Sequence, residues 1–223
     1  MATSGFPLPL RNALAELVCD ALDADDARDA LCWLGTQGPA PSPPVARRLA
    51  AVHLVDAGDQ ALLAVHAPWD ARVRAHAARG LRAAMAYRAR DVPRAVPVGR
   101  AVVQAAALWD EELCFEVHEV LEAVWQHQTG ESRQALQGLI QVAVAFHHLA
   151  HGNPRGARTL LREGRARLAA SPPGTLPWLD VAQLLTATGP WEAAHARDAE
   201  AEPPSGRPPR LIPLGESPTP GTR

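Results

Sequence analysis

The chain has 223 residues, a formal net charge of -2 and 47% hydrophobic residues, with only 4% aromatic. This composition is ample for a core, and the near-neutral charge argues against nucleic acid or an anionic membrane surface as a partner. The three cysteines, Cys19, Cys32 and Cys114, form no paired motif, so we expect neither a disulfide framework nor a cysteine zinc site. No stretch approaches the roughly 18 apolar residues of a membrane span, and no signal peptide opens the chain. We therefore expect a soluble, cytoplasmic protein.

Apolar residues recur at helical spacing along the chain, and no segment alternates for long enough to predict a strand. In the first 95 residues, the pattern predicts helices over about residues 10–21, 25–34, 44–55, 59–66 and 68–90. After the proline- and glycine-rich segment 91–99, it predicts helices over about residues 100–108, 112–128, 133–151, 154–170 and 178–187. The sequence therefore predicts an all-α protein.

The breakers between helices suggest three regions. An N-terminal helical region, residues 1–95, has no assigned role. Residues 96–197 form a compact helical bundle domain, in which Asn153 is the expected N-cap and Pro154 the first residue of a helix. Residues 198–223 are rich in proline, glycine and charge with little to bury, so we expect a disordered tail.

The helix predicted over residues 112–128 carries a site-like arrangement. His118, Glu122 and Trp125 stand at i, i+4 and i+7, within roughly 60° of one another on a helix. An imidazole and a carboxylate one turn apart can share a proton or a metal ion, and a tryptophan beside them can exclude water. The pair lies at the edge of a broad apolar arc with Phe115 just beyond it, so partial burial is expected. Glu119, close to Glu122, is a further candidate for this pocket.

The next helix, predicted over residues 133–151, is apolar nearly all round, which is typical of a central buried helix. Gln137, Gln141 and His148 nevertheless fall on one narrow stripe of it. Because buried polar groups need hydrogen-bond partners, we expect this stripe to face the histidine–glutamate pair across an antiparallel helix pair.

Two interpretations of the pocket follow. In the first, His118, Glu122 and His148 hold one divalent metal ion, for which zinc, iron and manganese are the suitable elements. In the second, the histidine, glutamate and glutamine side chains form a purely structural network within a helical interaction scaffold that binds a protein partner. The zinc-protease pattern HExxH is absent because position 122 is glutamate. The residues assign no reaction to the chain.

Two charged surfaces have simpler interpretations. Glu116, with the acids at 110–112, is expected to lie on a solvated face near a helix N-terminus. Four arginines line one face of a later helix, and the near-neutral net charge favours a solvated face over a phosphate or RNA site. They are Arg155, Arg158, Arg162 and Arg165.

The run LWDEELCFEVHEVLEAVW, followed by LQGLIQVAVAFHHLAHGNPRGA, resembles the bacterial and archaeal family called domain of unknown function 309. The family signature H-x-x-x-E-x-x-W/Y is met by His118, Glu122 and Trp125. The lead-in at Phe115, Glu119, and the stretch from Gln137 to Gln141 also look like the family pattern.

The resemblance covers about residues 100–170 and implies an all-α domain whose motif has been suggested to bind metal. It implies no reaction. Family members typically have an asparagine and a glycine in the turn before the motif helix, whereas Asp110 and Glu112 stand at the equivalent positions here. The first 95 residues do not resemble this family.

Overall fold

A computed structural model describes residues 5–36, 40–56, 61–90, 96–176, 178–194 and 208–211. This part of the chain contains nine α-helices, one 3-10 helix and no strand, apart from an isolated bridge between Val55 and Leu62. The all-α prediction is confirmed. None of the described helices combines the length and apolar character needed to cross a membrane. The chain forms two compact units, whose described residues lie within 5–90 and 96–211.

The first unit is built from four α-helices and the 3-10 helix. Prolines lie in the first turn of two of these helices, where their missing N–H costs nothing. Gly80 lets the last helix approach the first closely, since a Cβ there would lie 2.5 Å from Val18 Cγ2. The elements are α1 (Leu8–Ala21), α2 (Asp25–Thr36), α3 (Pro43–Ala51), the 3-10 helix (Ala64–Trp69) and α4 (Asp70–Arg88).

The helix predicted over residues 59–66 is wrong at residues 61–63, whereas residues 64–66 belong to the 3-10 helix. Leu62 pairs with Val55, and the Leu63 N–H donates to the Leu54 carbonyl at 2.9 Å. The backbone groups of this segment are therefore satisfied across the loop rather than along a helix. Apolar spacing over so short a segment does not distinguish these two solutions.

The second unit contains five α-helices, with α7 at its centre. α7 packs against both α6 and α8, while α5 packs on α6 and α9 packs on α8. Phe146 of α7 joins the unit further, because its ring contacts Trp109 and Trp191 edge to face at 5.3 and 5.2 Å between centroids. The helices are α5 (Pro97–Asp110), α6 (Cys114–Trp125), α7 (Gly130–Ala150), α8 (Pro154–Ala170) and α9 (Val181–Ala194).

The helix boundary between α7 and α8 follows the sequence closely. Gly152 ends α7 with a φ of 70°, and Asn153 then caps α8 by accepting a 3.0 Å hydrogen bond from the Gly156 N–H. The predicted N-cap is confirmed, with Pro154 in the first turn. The start of α7 lies at Gly130 rather than near residue 133, because Thr129 is the N-cap.

The predicted disordered tail, residues 198–223, lies outside the described residues except for 208–211. These four residues form neither helix nor strand. Leu211 is nonetheless buried, and Arg210 forms an ion pair with Asp110 at the end of α5. Composition alone did not indicate this contact.

Candidate metal centre

A tight turn between α5 and α6 positions the motif helix. The Leu113 N–H donates to the Leu108 carbonyl at 3.0 Å, and the Glu112 N–H donates to the Trp109 carbonyl at 2.8 Å. These two bonds define a Schellman motif, which requires a left-handed residue after the helix. Glu112 takes that conformation, with a φ of 59°. A residue with a Cβ adopts this conformation only at a conformational cost.

Three side chains of α6 converge beyond this turn. His118 Nδ1 lies 3.0 Å from Glu119 Oε1, and His118 Nε2 lies 2.9 Å from Glu122 Oε2. Their side chains are 25%, 43% and 38% exposed for His118, Glu119 and Glu122, so the cluster is open to solvent on one side. Among the described residues, this is the group of three whose potential ligand atoms lie within 4.8 Å of one another. We call it the His–Glu–Glu cluster.

The side chains of the His–Glu–Glu cluster offer a lone pair and carboxylate oxygens that suit a cation. An ionised carboxylate only accepts hydrogen bonds, and a neutral imidazole offers one N–H and one lone pair. His118 faces a carboxylate at each ring nitrogen. A neutral ring can donate to only one of these carboxylates, and a cation bound to the lone pair of the other nitrogen would make the second contact favourable as well.

The two predicted aromatic neighbours have different roles. Phe115 packs on the cluster, because its ring centroid lies 6.0 Å from that of His118 and 5.8 Å from that of His147. Trp125 instead stabilises the turn between α6 and α7 through its contacts with Arg133. Its indole N–H donates to the Arg133 carbonyl at 3.1 Å, and the Arg133 guanidinium carbon lies 3.7 Å from the centre of its ring. Contact between Phe115 and His147 was not expected from the sequence.

The structure does not bring the predicted stripe of α7 to the cluster. Gln141 donates to Glu163 at 3.2 Å and accepts from Arg167 at 3.0 Å, so it faces α8. His148 is hydrogen-bonded to Asn153 at 3.2 Å, in the last turn of α7. Within the described part of the chain, the hydrogen bonds of the His–Glu–Glu cluster do not include Gln137.

The physical reason lies in how α7 meets α8. Gly138 and Gly164 allow the two helices to touch, and the Cβ of Gln141 lies 3.0 Å from where a Cβ on Gly164 would be. The face of α7 that carries Gln141 is thus the face that contacts α8. A helix buried on several sides can satisfy a polar stripe against any of its neighbours, and the apolar pattern alone does not choose among them.

Two surfaces that were expected to be solvated contain residues that are largely buried in the structure. Glu116 is only 2% exposed, although it was expected to lie on a solvated face. Its position one turn before the buried Val120 was the feature that could have indicated this. Arg165 holds α9 to α8 by donating to Glu192 at 2.6 Å and to the Leu185 carbonyl at 2.5 Å. The arginine face therefore lacks one of its four predicted members, which weakens the nucleic-acid interpretation.

Fold and site together define an all-helical protein that carries a histidine–dicarboxylate cluster on the first helix of an antiparallel pair. Residues 102–160 match the model of the family described as Domain of unknown function (DUF309). The chain therefore contains a DUF309 domain, which includes the whole His–Glu–Glu cluster, and the resemblance seen in the sequence is confirmed. No curated protein and no solved structure gives a significant match to the chain.

Proposed function

We propose that the DUF309 domain of this chain binds a divalent cation through His118, Glu119 and Glu122. One observation supports this above all: one potential ligand atom from each of the three side chains lies within 4.8 Å of the other two. A cation bound among them would be held by one imidazole nitrogen and by carboxylate oxygens. Imidazole with carboxylate oxygens suits zinc, iron(II) or manganese(II).

The proposed ligand set differs from the one expected from sequence. Glu119 takes the third position in place of His148, because one of its carboxylate oxygens lies within 4.8 Å of a ligand atom of His118 and of Glu122. All three ligands come from one face of α6 and remain partly exposed. Further coordination positions would be open to water or to a bound molecule, as in catalytic sites rather than closed structural ones. We propose no reaction.

The alternative function is a helical interaction scaffold in which the cluster is purely structural. It is supported by the neighbouring polar contacts, since Gln141, Glu163 and Arg167 already tie α7 to α8. In that case the contacts of His118 with Glu119 and Glu122 only hold these side chains in place, and no metal ion binds among them.

Direct titration of the full chain distinguishes them. The protein is purified without an affinity tag, depleted of metal, and titrated with zinc, manganese(II) and iron(II) by calorimetry. The cation proposal expects binding near one ion per chain, weakened at least roughly tenfold, or about 1.4 kcal/mol, by His118→Ala and by Glu122→Gln. Glu131→Gln, at an exposed position in the first turn of α7, is the matched control. Equal binding by wild type and His118→Ala would refute the site.

A further inference from the structure

The last turn of α5 makes an unusual contact with the C-terminal part of the chain. Trp109 is only 1% exposed, and its indole N–H donates to the carbonyl oxygen of Pro209 at 2.6 Å. A buried indole N–H needs an acceptor. Here the acceptor comes from a residue 100 positions later in the sequence rather than from a neighbouring helix.

The residues that follow Trp109 and Pro209 add a charged contact. Arg210 Nε donates to Asp110 Oδ1 at 3.0 Å, and its Nη2 donates to Asp110 Oδ2 at 2.6 Å. Two parallel N–H···O bonds are the fork geometry that a guanidinium makes with a carboxylate, and a lysine cannot reproduce it. The contact therefore selects arginine at this position.

The following residue anchors the segment by its apolar side chain. Leu211 is 1% exposed. Pro208 and Pro209, which precede the arginine, are half-buried and have their φ angles restricted by their rings. Such a segment loses little conformational freedom when it binds, which is the reason that proline-rich peptides are common ligands of protein grooves. Four consecutive residues thus combine a stiff backbone, a guanidinium and an aliphatic anchor.

We infer that the end of α5 is a peptide-recognition site for a Pro-Pro-Arg-Leu segment, and that the chain fills this site with its own residues 208–211. Trp109 supplies an indole N–H that donates to the backbone of the segment, and Asp110 supplies the carboxylate for arginine. The adjacent Glu111 and Glu112 add negative charge, which favours a basic peptide. This inference is independent of the cation proposal, since no member of the His–Glu–Glu cluster takes part.

Vacating the site in the full chain tests the inference. Arg210→Ala combined with Leu211→Ala removes both anchors, and a fluorescein-labelled peptide with the sequence of residues 206–213, GRPPRLIP, is then added. We expect fluorescence anisotropy to show saturable binding to this double variant. Wild type should bind the peptide at least roughly tenfold more weakly, because its own segment competes at a high effective concentration.

Two controls give the test its specificity. The peptide GRPPALIP, which lacks the arginine, should bind the double variant at least roughly tenfold more weakly than GRPPRLIP, and adding Asp110→Asn to the double variant should have a similar effect on GRPPRLIP. Glu131→Gln added to the double variant should change nothing. Absence of binding by the vacated chain, or equal binding of the two peptides, would overturn the inference.

A second measurement does not depend on the double variant being folded. In wild type, trypsin should cut slowly after Arg210, because this residue is held against Asp110. Asp110→Asn in the otherwise unchanged chain should accelerate this cut several-fold, as measured by mass spectrometry of the released C-terminal peptide. Equal cleavage rates in the two proteins would contradict a recognition site at the end of α5.

Discussion

Gly138 of α7 and Gly164 of α8 face each other where the two helices touch. A Cβ added at Gly138 would lie 2.8 Å from the Gly164 carbonyl oxygen, and one added at Gly164 would lie 2.6 Å from the Gly138 carbonyl oxygen. Both obstacles are backbone atoms, which do not rotate away as a side chain does. This crossing sets which face of α7 contacts α8, and therefore which face remains for α6.

Gly138→Ala should consequently destabilise the protein by about 2 kcal/mol, because overpacking forces the helices apart. The control is Gly189→Ala in α9, where the nearest atom to an added Cβ is Arg165 Nη2 at 3.8 Å. That change should be neutral or stabilising by roughly 0.5–1 kcal/mol, since alanine is the better helix former. Urea unfolding followed by circular dichroism measures both, and equal effects would contradict the close crossing.

The turn before α6 offers a substitution expected to stabilise. Glu112 holds a φ of 59°, a conformation that costs an ordinary residue roughly 1–2 kcal/mol relative to glycine. Glu112→Gly should therefore raise the free energy of unfolding, and with it the melting temperature. The net gain should be about 1 kcal/mol or less, because glycine also increases the conformational entropy of the unfolded chain. Gly152→Ala should have the reverse effect and destabilise the protein by a similar amount. The φ of Gly152 is 70°, and no atom lies within 4 Å of an added Cβ, so only the backbone conformation is tested. Differential scanning calorimetry compares the pair, and a destabilised Glu112→Gly would show that the glutamate side chain outweighs its backbone strain.

In the first unit, Arg48 links α3 to α2 and makes a pH-dependent contribution. Its Nε and Nη2 donate to the two carboxylate oxygens of Asp26 at 3.0 and 3.2 Å, and these hydrogen bonds hold the pKa of Asp26 below its usual 3.8. Because the pKa is lowered in the folded protein, the stabilisation is present above about pH 3.8 and is lost as the pH falls through the folded value.

Asp26→Asn should thus lower the free energy of unfolding at pH 7 by less than about 1 kcal/mol, since the carboxylate is 43% exposed and screened by solvent. The difference from wild type should disappear well below pH 3.8. Asp29→Asn, an exposed position on the same helix, is the control and should have no comparable effect at either pH. Thermal unfolding at a series of pH values measures the stability difference between each variant and wild type. A deficit of Asp26→Asn that persists in acid would exclude the ion pair as its cause.

The sequence predicted the helical class and most helix boundaries because its breakers are strong and local. Asn153 and Pro154 mark the start of α8 by chemistry that operates within four residues. The same locality brought His118, Glu119 and Glu122 together, since residues on one turn of a helix are neighbours whatever the helix packs against.

The contacts that the sequence did not predict depend on partners distant in sequence. Gln141 has its partners on α8, and Arg210 pairs with Asp110, 100 positions earlier. Helical periodicity identifies a buried face without identifying the neighbour that covers it. Similarly, Trp125 belongs to the sequence motif, yet its position on the same side as His118 did not reveal that Arg133 is its partner.

Trp125→Phe tests that structural role. The change keeps an aromatic ring for the Arg133 guanidinium and removes the N–H that donates to the Arg133 carbonyl, together with one of the two indole rings. It should cost about 1 kcal/mol of stability, the usual net value of one hydrogen bond, and leave cation affinity within about twofold. Calorimetric unfolding and metal titration of the same variant provide the two readings. A large loss of cation affinity with unchanged stability would place the indole in the site instead.

Whether a divalent ion binds at His118 determines how the stability of the protein responds to added metal and to pH. If a divalent ion binds, it should stabilise wild type by about 2.7 kcal/mol at a hundredfold excess over its dissociation constant, and Glu122→Gln should lose this increment. A proton competes with the ion for the imidazole nitrogen, so the increment should shrink as the solution is acidified. If the cluster is only structural, added ions should not change the melting temperature at neutral or mildly acidic pH. Melting curves of wild type and Glu122→Gln with zinc, manganese(II) or iron(II), from neutral to mildly acidic pH, separate these outcomes. A melting temperature indifferent to all three ions would leave the structural network as the account of the motif.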